Sequence, residues 1–272
     1  MATPPPEPKL SSTILLIRDA NELEVLMVKR HYEIDFASGA LVFPGGKTCA
    51  DDASGEWDAL FDGTTDEDER VAQIAAIREL YEEAGVLLAR KENQRGAGAP
   101  LIGPAEVEPL QPYRGAVDRG EHAFSELIRD AGLVLAGDCL VHFGHWITPT
   151  MMPKRFDTHF YVAAAPDGQV AEQDGRETTE AVWLNPEKAL EMEKGGEATI
   201  IFPTRMNLGR LALASTTAEA VDRFSGEDVI TVIPEVHSDD PEGPCLKIPF
   251  VEGYGQVREP IGKVSNVMKP KT

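Results

Sequence analysis

The segment 68–85 constrains both the fold and the chemistry of this chain most strongly. At about 100° per residue, one side of the predicted helix is apolar and carries Ile74, Ile77, Tyr81 and Ala84, with Leu80 at its edge. The opposite side carries Glu79, Glu82 and Glu83. Thr65 or Asp66 can cap the start, and Gly85 can take the left-handed conformation that ends a helix. The sequence therefore predicts a helix from about Asp68 to Ala84 with a buried face and a carboxylate face.

The carboxylate face has two interpretations, a solvated helix surface or a binding site. Like charges at positions i, i+3 and i+4 repel by a few tenths of a kcal/mol per pair, and only Arg78 is near enough in sequence to help. Mg²⁺ and Mn²⁺ prefer such clusters of oxygen ligands. Upstream, "FPGGK" (43–47) places two glycines at the end of a strand, where backbone can approach a ligand closely. These two features favour a metal site.

Strand and helix patterns alternate along the first third of the chain, which indicates an α/β fold. "STILLIRD" (12–19) and "EVLMVKR" (24–30) predict a hairpin around the turn "DANE", and "GALVF" (39–43) predicts a buried third strand. Residues 47–70 are rich in Asp, Glu, Gly, Ser and Thr. We expect this acidic segment to be a solvated surface insert that ends in the helix cap.

The glycine loop and the helix together resemble the Nudix box, G-x5-E-x7-R-E-U-x-E-E-x-G-U, in which U is aliphatic. Gly46 matches the first glycine, and "RELYEEAGV" (78–86) matches the whole second half. Gly46 and Arg78 lie 32 positions apart where the pattern has 14, so about 18 residues are inserted. Asp52 keeps the pattern's distance from Gly46, and Glu69 lies near its distance before Arg78. The counterpart of the first box glutamate is therefore open between them.

The resemblance extends to the Nudix branch that includes peroxisomal coenzyme A diphosphatase and its bacterial relatives. It rests on the inserted box, on "HWITPTMMPKRFDTHFYVAA" (145–164) and on "DGRETTEAVWLNPEKAL" (174–190), and covers roughly residues 11–215. It implies an α/β/α sandwich with a mixed central sheet. We expect a flexible tail over 1–10 and a single Nudix domain over 11–272, with the insert at about 47–70 and an extension at about 225–272.

The family reaction implied by this resemblance is metal-dependent hydrolysis of a nucleoside diphosphate linked to another group. Coenzyme A or acyl-CoA is the favoured substrate; NADH, ADP-ribose or another dinucleotide or nucleotide sugar is the alternative. A binding module without turnover is a third option. By matched position, Glu79, Glu82 and Glu83 would bind Mg²⁺ or Mn²⁺, with the carbonyl of Gly45 or Gly46 as a further ligand. Arg78 would orient the carboxylates.

Two further groups of residues are candidates for the site. Glu177 and Glu180 are the distal candidates for the general base, against the alternative of a solvated loop. Lys154 and Arg155, in an otherwise acidic chain, are candidates for substrate contact, against the alternative of ordinary surface charge. Lys47 follows the glycine loop and is a third cationic candidate.

Composition excludes several classes of protein. A formal net charge of -20 disfavours a general nucleic-acid binder, because a polyanion would be repelled by most of the surface. No apolar run approaches the ~20 residues of a membrane span. Three scattered cysteines, with no CxxC pair, fit a reducing compartment. We expect a soluble, cytoplasmic protein without a membrane partner.

Several segments predict structure rather than chemistry. His142 and His145 lie three positions apart in one predicted strand, so opposite faces are expected and a shared metal is not. Trp146 and Trp183 are predicted strand or core residues. "GEHAFSELIRDAGL" (120–133) and "PTRMNLGRLALASTTAEAVDRF" (203–224) predict packing helices, the second covering the sheet or a partner in a homodimer. "ITVIPEVH" (230–237) and "CLKIPF" (245–250) predict strands in the extension.

Overall fold

The computed structural model describes residues 4–31, 39–248, 253–255 and 257–262. Its strands are β1 (Lys9–Asp19), β2 (Leu23–Arg30), β3 (Leu41–Val42), β4 (Gly45–Lys47), β5 (Phe61–Asp62), β6 (Ala89–Lys91), β7 (Leu133–Ala136), β8 (Val141–Ile147), β9 (Phe156–Ala164), β10 (Thr178–Leu184), β11 (Thr231–Val232), β12 (Glu235–His237), β13 (Cys245–Lys247) and β14 (Arg258–Pro260). Its helices are α1 (Trp57–Leu60), α2 (Glu67–Ala84), α3 (Pro104–Val107), α4 (Arg114–Asp118), α5 (Phe124–Asp130), α6 (Pro186–Gly195), α7 (Phe202–Leu211) and α8 (Thr217–Ser225). Short 3₁₀ turns lie at Asp51–Ala53, Glu92–Gln94, Glu108–Tyr113 and Gly137–Cys139.

A mixed sheet in the order β10-β2-β1-β9-β8-β11 forms the centre of the fold, with β3 beside β2 and β4 beside β1. β1 and β2 form the predicted antiparallel hairpin, and β1 runs parallel to β9. The four apolar residues 14–17 of β1 are completely buried. A strand that is apolar on both faces belongs in the middle of a sheet covered on two sides.

Helices cover both faces of this sheet. Ile14 and Leu16 of β1 belong to the core cluster that includes α2, whereas Leu15 and Ile17 belong to the cluster that includes α7 and α8. The predicted α/β/α sandwich with a mixed sheet is confirmed. The segment 203–224 forms two helices rather than one, because Thr216 caps a new helix by accepting a hydrogen bond from the Glu219 amide.

Helix α2 follows the prediction closely at both ends. The Asp66 side chain accepts a hydrogen bond from the Glu69 amide at the start, and Gly85 ends the helix with φ 70°. The carboxylate face differs from an ordinary solvated surface, however, because Glu82 and Glu83 are only 6% and 4% exposed. The glycine strand β4 contacts this part of α2 and shields it from solvent.

The acidic insert is less solvated than expected. Trp57, Leu60 and Phe61 are buried in the core that contains α2, and Trp57 packs against Phe124 with ring centroids 5.7 Å apart. β5, within the insert, pairs with β7, which also pairs with β6. The expectation of a solvated loop was wrong for this half of the insert, because its few apolar residues outweigh its acidic composition.

A β-bulge in β8 overturns the expectation for its two histidines. The pairing of β8 with β9 shifts register between His142 and Gly144, and the added residue reverses the side-chain alternation. His142 and His145 consequently both contact the His159 ring.

The two tryptophans are strand residues as predicted: Trp146 is buried in β8, and Trp183 in β10 lies under the Arg18 guanidinium.

The extension adds β11 to the central sheet and forms a second sheet of β12, β13 and β14. Both predicted strand segments contain strands, although the end of "CLKIPF" lies outside the described residues. So do residues 1–3 of the predicted tail and 249–252, 256 and 263–272 of the predicted extension. The proposed domain boundaries remain predictions.

Candidate active site

Two glycines of β4 approach β1 and α2 more closely than a residue with a Cβ could. A Cβ on Gly45 would lie 2.4 Å from the Ser12 carbonyl oxygen, and a Cβ on Gly46 would lie 2.4 Å from both carboxylate oxygens of Glu79. The Gly45 amide also donates a hydrogen bond of 3.0 Å to Glu83 Oε2. The glycine loop therefore fixes the positions of two of the three box carboxylates.

Arg78 organises the other side of the carboxylate group. Its Nη1 donates to Glu79 Oε1 at 2.9 Å and to Glu82 Oε2 at 2.8 Å. Its Nη2 donates to the Lys47 carbonyl oxygen at 2.8 Å, which ties the helix to the glycine loop. The guanidinium side chain is only 6% exposed, so these charge-assisted bonds are shielded from water.

Asp52 accepts the remaining hydrogen bonds of the Arg78 guanidinium. Its Oδ1 accepts from Arg78 Nε at 2.8 Å and its Oδ2 from Arg78 Nη2 at 3.0 Å, and the Asp52 side chain is fully buried. Glu69, the alternative counterpart of the first box glutamate, lies in the first turn of α2 and accepts a hydrogen bond from Gln73. The structure thus places Asp52 beside the box arginine, six residues after Gly46.

Burial raises the pKa of each box glutamate, because a carboxylate loses hydration when it is removed from water. The pKa of Glu82 rises to about 8 through burial, which outweighs the opposing effect of Arg78, and the charge of Glu79 adds to the rise. The pKa of Glu79 is raised and that of Glu83 is raised well above its usual range, again mainly by burial. The neighbouring carboxylates raise the pKa of Arg78 despite its burial. The site therefore has an excess of negative charge that a cation can neutralise.

The donor set fits a hard divalent cation. All three side chains offer carboxylate oxygens, and the buried Glu82 Oε1 has no hydrogen-bond partner within the described part of the chain. Mg²⁺ usually binds one or two carboxylates and completes its shell with water and substrate phosphates, so these glutamates are sufficient to hold it.

A cavity of about 860 Å³ opens in front of these carboxylates. Its lining includes Glu79, Glu82 and the glycine loop, together with the basic side chains of Arg30 and Lys47. The lining also includes large apolar residues: Phe43, Trp146, Met152, Phe156, Phe160 and Phe202. Pro234, Leu246 and Glu259 of the extension also reach it. The cavity can accommodate a ligand with one anionic and one apolar part.

The two candidates for the general base outside the box, Glu177 and Glu180, differ in whether they line the cavity. Glu177 lines the cavity, and its negative charge contributes to the raised pKa of Glu79 and Glu83. Glu180, in β10, forms an ion pair of 3.0 Å with Lys29 and is absent from the cavity lining. Glu177 therefore remains the candidate that the fold brings to the site.

The three basic residues proposed for substrate contact also differ in whether they line the cavity. Lys47 lines the cavity, whereas Lys154 and Arg155 do not. The Arg155 guanidinium donates to the carbonyl oxygens of Thr148 and Pro6, each at 2.9 Å. Arg155 therefore tethers the N-terminal segment to the loop before β9, and substrate contact by Arg155 or Lys154 stays a prediction that the cavity lining does not support.

Sequence reasoning missed two arginines near the site. Arg30, at the end of β2, lines the cavity, and its buried Nε has no hydrogen-bond partner among the described residues. Arg114 donates through Nη2 to the Glu82 carbonyl at 3.0 Å, and Gln111 donates to the Gly85 carbonyl at 2.7 Å. These bonds satisfy backbone carbonyls at the C-terminal end of α2, which have no partner within the helix. Neither arginine belongs to a motif, and only Arg30 had a local signal, its place at a strand end.

Comparison with known proteins agrees with the geometry of the box. The model of the NUDT19 Nudix domain matches residues 65–211, more than half of the chain. The chain belongs to the NUDT19 Nudix domain family. The solved structure of a Nudix hydrolase from Alicyclobacillus acidocaldarius is 26% identical, with a TM-score of 0.68, and the match covers 82% of this chain and 99% of that one.

Two curated relatives of this Nudix chain are acyl-coenzyme A diphosphatases named NUDT19. The one from Xenopus laevis is 26% identical over 230 residues, and the match covers 71% of this chain and 60% of the relative. The human one is 27% identical over 248 residues, and the match covers 78% of this chain and 64% of the relative. The match thus spans less than two thirds of each relative. Among the described residues of this Nudix chain, no helix combines the length and the apolar character needed to cross a membrane.

Proposed function

We propose that this Nudix chain hydrolyses the diphosphate bond of a nucleoside diphosphate derivative, with coenzyme A or acyl-CoA as the favoured substrate. The observation that carries the proposal is the arrangement of the box glutamates: Arg78 and the glycine loop hold all three, and Glu79 and Glu82 line the cavity. Free cysteines support a cytoplasmic location.

The chemistry of the reaction explains why these residue types are needed. A diphosphate repels an incoming hydroxide, so its oxygens must be neutralised and a water must be activated; bound Mg²⁺ or Mn²⁺ would supply both effects. Glu79, Glu82 and Glu83 would hold the metal. Arg78 and Asp52 keep two of these carboxylates oriented, and Glu177 is the candidate that accepts the proton of the attacking water.

The cavity supports coenzyme A or an acyl-CoA over a small nucleotide. Arg30 lines the cavity close enough to Glu83 to oppose the rise of its pKa, and Lys47 lines it beside Arg78, so both can contact phosphate oxygens near the carboxylates. The aromatic and aliphatic side chains of the same lining can pack against an apolar arm of a substrate. The acyl-coenzyme A diphosphatase relatives point to the same substrate class.

A substrate panel tests this proposal. The purified chain is incubated with coenzyme A, an acyl-CoA, NADH, ADP-ribose and a dinucleoside polyphosphate, with Mg²⁺, with Mn²⁺ or with chelator, and products are separated by chromatography. We expect metal-dependent cleavage, greatest with coenzyme A or acyl-CoA, and its loss in Glu82→Gln. Preferred cleavage of NADH or ADP-ribose would replace the substrate but keep the reaction. Binding of these compounds without cleavage would indicate a binding module.

A further inference from the structure

A second group of ligand-type side chains lies at β8 and β9, away from the glutamates. His145, Asp157 and His159 each offer one ligand atom, and these atoms all lie within 4.8 Å of one another. Among the described residues, this is the group of His, Cys, Asp or Glu side chains whose ligand atoms lie close enough together to share a metal ion. The bulge in β8 creates it, because a regular strand would not place His145 and His142 beside the same residue of β9.

Neighbouring side chains orient both imidazoles. His145 Nδ1 shares a hydrogen bond of 2.8 Å with Thr231 Oγ1, which leaves Nε2 directed at Asp157 Oδ1. The His159 ring stacks on the His145 ring with centroids 4.3 Å apart, and His159 Nδ1 contacts His142 Nε2 at 3.1 Å. Such outer contacts fix ring orientation in metal sites. All three candidate ligands are partly exposed, so an ion and a water can enter.

We propose that His145, Asp157 and His159 form a second divalent-metal site, selective for a borderline cation such as Zn²⁺. Imidazole nitrogen with one carboxylate suits Zn²⁺, whereas the all-oxygen site on α2 suits Mg²⁺. Three protein ligands leave a fourth position for water. Thr231 of β11 bonds one of the proposed ligands, so the extension helps to orient this site.

The histidine group lies in the same sheet as the glycine loop, but its ligand atoms are not those of the box carboxylates. His159 of β9 and Gly46 of β4 both pair with Ser12 of β1, so two strand spacings, about 10 Å, separate their backbones. Glu69 Oε1, in the first turn of α2, lies 3.8 Å from His142 Nδ1 at the edge of the group. His145, Asp157 and His159 are absent from the lining of the cavity in front of Glu79 and Glu82. The proposed second metal therefore does not depend on the proposed hydrolysis.

Zinc binding in the presence of excess Mg²⁺ tests the proposal, because Mg²⁺ competes for the carboxylate site alone. The chelator-treated protein is dialysed against Zn²⁺ with millimolar Mg²⁺, and bound zinc is measured by mass spectrometry. We expect one equivalent in the wild type and in Glu82→Gln. We expect about tenfold or greater loss of affinity in Asp157→Asn and His159→Asn. His237→Asn is the matched control, since His237 is an exposed histidine near Glu235 and outside the group.

Three results would overturn the site. They are no zinc bound by the wild type, equal affinity in His159→Asn and His237→Asn, or loss of the zinc in Glu82→Gln. Circular dichroism establishes that each variant is folded. Asp157→Asn keeps the shape of the side chain, so it decides the question even where a histidine variant does not fold. Co²⁺ replacing Zn²⁺ provides a second readout, because its visible absorption reports imidazole and carboxylate ligation.

Discussion

Replacement of Gly46 by alanine tests the close contact between the glycine loop and the box helix. The added Cβ would lie 2.4 Å from both Glu79 oxygens, and real Cβ contacts essentially never fall below 3.0 Å. The carboxylate or the loop must therefore move by at least about 0.6 Å, a distance that matters because Mg²⁺ requires near-ideal ligand geometry. A displacement approaching 1 Å in a catalytic arrangement can cost about 10²-fold in rate.

We expect Gly46→Ala to lower kcat/KM by about 10²-fold while the protein stays folded. Gly55→Ala is the matched control, because Gly55 lies in the same segment and a Cβ there meets nothing within 4 Å. Steady-state kinetics against the best substrate of the panel, with a thermal melt of each variant, provide the comparison. Activity of Gly46→Ala within threefold of Gly55→Ala would refute the argument that this contact positions Glu79.

Three further predictions concern stability, charge and substrate contact. Asp52→Ala should lower the free energy of unfolding by about 3–5 kcal/mol, because it removes two charge-assisted hydrogen bonds from the buried Arg78 guanidinium. Asp58→Ala, at an exposed pair, should change it by about 0.5 kcal/mol or less; equal urea midpoints would contradict this. The pKa of Glu82 rises from 4.5 to about 8 on folding, so its contribution to stability is full below about pH 4.5 and is lost as the pH rises through 8. Melting temperatures of chelator-treated protein should fall over that range, less steeply in Glu82→Gln; equal slopes would rule out this residue as the cause. Arg30→Gln should reduce kcat/KM at least tenfold, whereas Arg155→Gln, outside the cavity, should not; equal kinetic effects would remove Arg30 from the substrate site.

Local sequence patterns predicted the box helix well because its determinants are local. The Asp66 cap, the apolar spacing and Gly85 act within a few residues of α2, so the ends of the helix could be placed from sequence. The hairpin of β1 and β2 was predictable for the same reason. The burial of Glu82 was not, since it depends on β4 packing against the helix from a distant part of the chain.

Features that depend on contacts distant in sequence were predicted poorly. Asp52 and Glu69 could not be distinguished by spacing, because only the folded insert shows which carboxylate reaches Arg78. The histidine group depends on a bulge at Phe143; the isolated Gly144 in this strand is a signal for a bulge, but it does not show which residue of β9 the histidines reach. Arg30 and Arg155 are both arginines near strand ends, and only the tertiary structure shows that one lines the cavity and the other binds backbone.

Phosphorus NMR of coenzyme A incubated with the chain and Mg²⁺ observes the proposed bond cleavage itself. We expect the diphosphate signals to disappear and two new phosphomonoester signals to replace them. We expect no change with chelator or with Glu82→Gln. Persistence of the diphosphate signals with coenzyme A, acyl-CoA and the rest of the panel would contradict the proposed hydrolysis, as would equal cleavage by wild type and Glu82→Gln.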